Sequence, residues 1–100
     1  MQKGETRKSP KTAKQMERHL KGMANHYRIT VLLLIASRGA MTLEDVVAEL
    51  GANEKTIGEH IRRLHAAGLV NKQHCGRFVE NTLSPYGKLF ARFLVSFRDN

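Results

Sequence analysis

Two helical hydrophobic patterns joined by a tight glycine-containing turn constrain this chain more than any other feature. In "TLEDVVAELGANEKTIGEHIRRLHAAGLV" the first pattern runs through Val46, Val47 and Leu50 and stops at Gly51, and the second resumes through Ile57, Ile61 and Leu64. Thr42, with Asp45 three residues on, has the form of a capping box with Asp in place of the usual Glu, and Asn53 can cap the second helix. Two short helices so joined make a helix-turn-helix. At about 100° per residue, Ile57, Ile61 and Leu64 fall within about 60° of one another. Lys55, Glu59, Arg62 and Arg63 then occupy the opposite side, with Thr56 at its edge. The major groove of DNA admits one α-helix, and Arg or Lys there reaches guanine edges or phosphates. A charged helix face is ordinarily a solvated face; behind a short helix and a tight turn it reads as a DNA-facing one.

The charge balance agrees. Seventeen Lys and Arg against nine Asp and Glu leave a net charge of +8 in 100 residues, which suits a polyanion partner. The opening stretch "MQKGETRKSPKTAK" holds five Lys or Arg and one Glu and has no apolar periodicity. Residues 1–14 are therefore expected to form a disordered basic arm, either solubilising or lying along phosphates. The longest apolar run, Val31 to Ala36, is six residues, against the roughly 20 a membrane span needs. The single Cys75 excludes an intrachain disulfide framework and suits a cytoplasmic location.

Around the helix-turn-helix the pattern supplies the rest of one domain, residues 15–84. Met16, Leu20, Met23 and Ala24 form one helical stripe, and Asn25 can cap a second helix, "HYRITVLLLIASRG", apolar on most sides and so placed centrally. After Gly68 the pattern changes to alternation: a strand from Val70 to His74, a turn at Cys75-Gly76-Arg77, and a strand from Phe78 to Leu83, with Lys72, His74 and Arg77 making the hairpin positive. Ser84 as cap and Pro85 in the first turn open a last helix over residues 85–100. Its stripe of Leu89, Phe90, Phe93, Leu94 and Phe97 is expected to meet a second copy of the chain, because three helices and a hairpin already supply a core. The fold class is mostly α with a small β-hairpin wing, a winged helix-turn-helix dimerised through its terminal helices.

The residues from Leu20 to Ser84 also resemble the ArsR-type winged-helix repressors and related bacterial and archaeal regulators. The resemblance is carried by Leu20, Met23 and Ala24, by Arg28 and Ile29, by Asp45, Val46, Leu50 and Gly51, and by Thr56, Ile57, His60, Ile61 and Leu64. Ala67-Gly68-Leu69-Val70 and Gly76-Arg77 complete it. It implies a homodimer on a pseudo-palindromic promoter site, with recognition helices in successive major grooves of double-stranded DNA and wings on the flanking backbone. By that match Lys55, Thr56, Glu59, His60, Arg62 and Arg63 are the DNA-facing residues, with Lys72 and Arg77 on the wing. The chain departs from the family at Gly58 and Glu59, where such helices often carry Ser and Arg. Gly58 lowers helix propensity by about 1 kcal/mol relative to Ala, and Glu59 repels phosphates but can accept from a cytosine amino group.

Metal sensing and catalysis find no support in the residues. Where relatives place paired cysteines before the turn, this chain has Thr42 and Glu44, and no histidine follows His74 to build a terminal-helix site. His19, His26, His60, His65 and His74 lack metal-ligand spacing, and Cys75 and His74 point to opposite faces of a regular strand. No phosphate-cradling glycine loop, H-E-x-x-H or paired cysteine motif is present. No enzyme, metal or cofactor is expected. A sequence-specific regulator, acting as a repressor with an unidentified effector, is the leading reading. A winged-helix module that contacts protein, or a general nucleoid-type binder, is the alternative.

Overall fold

Capping residues mark every helix start in the computed structural model, which describes residues 9–100. Thr12, Asn25, Thr42, Asn53 and Ser84 each stand in extended conformation before a helix, and each side chain accepts from a backbone N–H of its first turn. The helices that follow are α1 (Ala13–Met23), α2 (His26–Arg38), α3 (Leu43–Leu50), α4 (Glu54–Ala66) and α5 (Pro85–Arg98). Both Thr42–Asp45 and Thr12–Gln15 close as reciprocal capping boxes. The second of these starts α1 at Ala13, inside the stretch expected to be an arm; most of that arm, residues 1–8, lies outside the described residues.

Three strands form one antiparallel sheet in the order β1-β3-β2: β1 (Met41–Thr42), β2 (Val70–Cys75) and β3 (Phe78–Leu83). The hairpin register pairs Val70 with Leu83 and Cys75 with Phe78. Cys75 is therefore the last residue of a strand rather than part of the turn, which shrinks to Gly76-Arg77, with Gly76 at φ 64°. β1 has no counterpart in the sequence expectation, because two residues show no period. It is held by Asn81, buried on β3, whose side-chain amide donates to the Met41 carbonyl at 3.0 Å.

The core gathers residues of every element: Met23 of α1, Val31, Leu32 and Ile35 of α2, Met41 of β1, Val46 of α3, Ile57, Ile61 and Leu64 of α4, Val70 and Leu83 of the hairpin with Leu69 just before it, and Ala91 and Leu94 of α5. α2 is central, as its apolar girth requires.

The C-terminal end of α4 is fastened by α1, and the Gly68-Leu69 segment just after it by the start of α5. Arg18 donates to the Ala66 carbonyl at 2.9 Å, and the His19 Nδ1–H to the Ala67 carbonyl at 2.6 Å, so carbonyls left free at a helix end are satisfied from α1. Gly22 lies so close that an added Cβ would stand 2.1 Å from the Ala67 Cβ. On the other side the Ser84 hydroxyl donates to the Gly68 carbonyl at 2.6 Å, and a Cβ at Gly87 would sit 2.0 Å from the Leu69 carbonyl oxygen. The buried His19 ring also meets Tyr86 at 5.0 Å between centroids. The apolar period of α1 gave no sign that a histidine would be among its buried residues.

Candidate nucleic-acid interface

The turn between α3 and α4 begins at Gly51, which ends α3 in the left-handed region at φ 63°. Asn53 then starts α4 by accepting from the Thr56 N–H at 3.1 Å. With Ile57, Ile61 and Leu64 buried, Lys55, Thr56, Arg62 and Arg63 are exposed, as the helical geometry requires.

Glu59 does not stand free among them. Its carboxylate accepts from Arg62 Nη2 at 2.6 Å and Nε at 3.0 Å, and from Arg63 Nε at 3.1 Å. These hydrogen bonds, Arg62 first and Arg63 second, hold its pKa down at about 2. The outward face of α4 therefore presents two guanidinium groups bridged by one carboxylate.

His60 departs from the expected outward position. It is half-buried against α2, its ring stacked on Tyr27 with centroids 5.2 Å apart and planes 24° from parallel. Arg28 Nη1 lies 3.1 Å from His60 Nδ1. A guanidinium can only donate, so Nδ1 accepts and the ring is neutral, with its proton on Nε2. Burial first, then the nearby Arg28 and Arg63, lowers the His60 pKa below its ordinary value. Burial and Arg63 also lower the pKa of Arg28, whose Nε is buried without a partner. This contact joins residues 32 apart, and no spacing in the sequence signals it.

The wing comes alongside α4. Lys72 pairs with Asn81 and His74 with Val79 across the strands, so Lys72 and His74 share the sheet face that carries buried Val70 and Leu83. Lys72, His74 and Arg77 border a cleft of about 560 Å³ whose other wall includes Gly58, Ile61 and Glu44. The cleft thus unites the wing cations with the middle of α4. His74 belongs in this set by strand alternation with Lys72. Cys75 lies on the opposite sheet face, its thiol 3.5 Å from Glu80 Oε1, and burial followed by Glu80 raises its pKa.

The terminal-helix stripe divides. Phe93 and Phe97 are 56% and 71% exposed and stack on each other at 5.6 Å, Leu89 is exposed, and Phe90 is half-buried. Leu94, expected in the same stripe, is instead 7% exposed in the chain's own core, because it faces α2 with Ala91. α1 extends the exposed surface with Met16 and Leu20, and a shallow cavity of about 450 Å³ lies between Leu20, Met23, Leu89 and Phe93. No helix among the described residues is long and apolar enough to cross a membrane.

A helix-turn-helix followed by a two-stranded wing, packed beneath two terminal helices, defines a winged helix-turn-helix protein. The chain belongs to the arsR family of bacterial regulatory proteins, which matches it over residues 26–72. A protein described as a possible transcriptional regulator for arsenical resistance is 30% identical, with 79% of this chain and 81% of that one covered and a TM-score of 0.63. HlyU from Vibrio cholerae N16961 shares the fold at TM-score 0.79 and 22% identity, over 88% of this chain and 96% of its own. The homodimeric winged helix-turn-helix DNA-binding domain of Mb0332 from Mycobacterium bovis does so at TM-score 0.77 and 23% identity, over 86% and 80%. No curated protein sequence matches the chain significantly.

Proposed function

We propose that this chain is a sequence-specific DNA-binding transcriptional regulator that acts as a repressor, binding a pseudo-palindromic operator as a homodimer. The observation that carries this reading is the exposed cationic face of α4, Lys55, Thr56, Arg62 and Arg63, next to the wing cations Lys72 and Arg77. α4 enters the major groove. Arg62 and Arg63 reach guanine edges or phosphates, Glu59 accepts from a cytosine amino group, and Lys72 and Arg77 lie on flanking phosphates. His60 acts from behind, fixing α4 against Arg28 and Tyr27. Leu89, Phe90, Phe93 and Phe97, with Met16 and Leu20 of α1, bury against a second copy, which supplies the two-fold symmetry that a palindromic site mirrors.

The test is selection of genomic fragments by purified protein at near-physiological salt with excess competitor DNA. The reading requires an enriched inverted repeat with half-sites about 10 base pairs apart. On that repeat, Arg62→Ala with Arg63→Ala should weaken binding about tenfold or more, a base or phosphate contact being worth ~1–3 kcal/mol, with folding retained. Binding that survives no competitor and falls steeply with salt would make this a general polyanion binder instead. A protein-contacting role is the second reading, favoured by the Glu59 carboxylate that occupies both arginines; no DNA binding at any salt would select it.

A further inference from the structure

The helix that offers Phe93 and Phe97 to a second copy carries a second unfilled face. Turned toward the C-terminal end of α2 and the end of β3, it borders an open groove of about 840 Å³, within the ~300–1,000 Å³ range of small-molecule sites. The groove floor is apolar: Ile35, Leu83, Ala91 and Val95. Val95 is left 38% exposed there. Lys88 and Arg92 stand on the rim, one helical turn apart on α5.

Three features narrow what fills it. No carboxylate is among the groove's lining residues, and neither Lys88 nor Arg92 has an ion-pair partner among the described residues. Two cations at this spacing repel each other, and an anion seated between them removes the repulsion. Beside them the lining is mostly apolar, its polar side chains limited to the hydroxyls of Thr82 and Ser96, so most of the remainder of the ligand is hydrocarbon. DNA does not suit the groove, which lies at the Leu83 end of β3, roughly 17 Å along the strand from the wing turn. Nor does a second copy: a two-fold contact here would bring both Lys88–Arg92 pairs to one interface with no carboxylate to offset them.

We propose that this groove is a binding site for an amphipathic monocarboxylate, a medium-chain fatty acid whose tail lies along Ile35, Leu83, Ala91 and Val95 and whose carboxylate is held between Lys88 and Arg92. The site stands independently of the DNA-binding reading.

Octanoate is the probe, titrated into the full chain without DNA and followed through the methyl NMR signals of Ile35, Leu83 and Val95, with octanol as the uncharged control. Saturable shifts at those three residues are expected, with octanol at least about tenfold weaker because it lacks the charge-assisted bonds. Lys88→Gln with Arg92→Gln, both on exposed positions, should weaken octanoate to the level of octanol while the methyl spectrum stays that of a folded chain. The proposal is overturned by the absence of saturable shifts, by equal affinity in the double variant, or by shifts centred on Leu20 and Leu89. A Val95 signal that responds to protein dilution instead of octanoate would assign the groove to a second copy and overturn it as well.

Discussion

Gly58 sits in the middle of α4, the helix proposed to read DNA, and nothing in the packing around it calls for glycine. A Cβ built there meets only Leu43 Cδ2, at 3.7 Å, an ordinary van der Waals distance. Its φ is not positive, so no conformational reason excludes a side chain. Gly58→Ala therefore removes backbone freedom from the unfolded chain and adds a contact to Leu43 without forcing a neighbour to shift. The helix-propensity difference is ~0.8–1.0 kcal/mol. For a domain of this size that corresponds to a rise in unfolding temperature of about 3–8 °C. Thermal and urea unfolding by circular dichroism, with variant and parent at equal concentration, measure it; the urea midpoint should rise with unchanged slope. An unchanged or lowered midpoint would refute the reasoning, and would mean that α4 is not a regular helix at this point in solution. DNA affinity is the informative companion. Gly58 lines the cleft between α4 and the wing, so a variant that is more stable yet binds its site more weakly would show that the glycine serves close approach of the DNA.

Three further outcomes are expected. Glu59→Gln frees Arg62 and Arg63 and removes one negative charge per helix; a dimer then engages up to two more phosphates, and the slope of log K against log salt steepens by about 1.8, as titrations at several salt concentrations would show, while an unchanged slope would mean the arginines do not contact phosphate. The His60 pKa is lowered in the folded state, so its contribution is complete above the ordinary value of 6.5 and is lost as pH falls through the lower folded value; the melting-temperature advantage of the parent over His60→Gln should shrink below pH 6.5, and a constant difference would reject a neutral His60 held by Arg28. Phe93→Glu places a charge in the exposed α5 stripe and should give monomers in light scattering with the fold retained, whereas an unchanged dimer mass would reject this face as the interface.

What the sequence made legible, and what it did not, divides by the range of the interaction. Helix starts were readable because Thr42, Asn53 and Ser84 cap groups within three residues of themselves. The face of α4 was readable because Ile57, Ile61 and Leu64 repeat with the helix. The place of Leu94 was not: the apolar residues of α5 encircle more than half the helix, and periodicity cannot say which of them meet the core and which meet solvent. His60, DNA-facing by the family resemblance alone, lies at the border of the buried face on the wheel, and its half-burial is decided by Arg28 and Tyr27 from another helix. The Glu59 bridge lay within reach of i, i+3 and i, i+4 spacing, yet spacing alone gave no sign that one carboxylate would engage both arginines at once.

The tight seats at Gly22 and Gly87 bear on how such a molecule can change over time. At these two seats α1 meets the C-cap of α4, Gly22 against Ala67, and α5 meets the chain just beyond it, Gly87 against the Leu69 carbonyl, so the backbones approach there with no long side chain as a spacer. In a symmetric pair, the separation of the two reading helices is then a property of the chain's skeleton, like the fixed span of a caliper. Side chains on the outward face of α4 are free to drift toward a new base sequence while the span stays the same. Enlarging either glycine would do the reverse, leaving the reading residues intact and setting their spacing wrong for every site they had come to know.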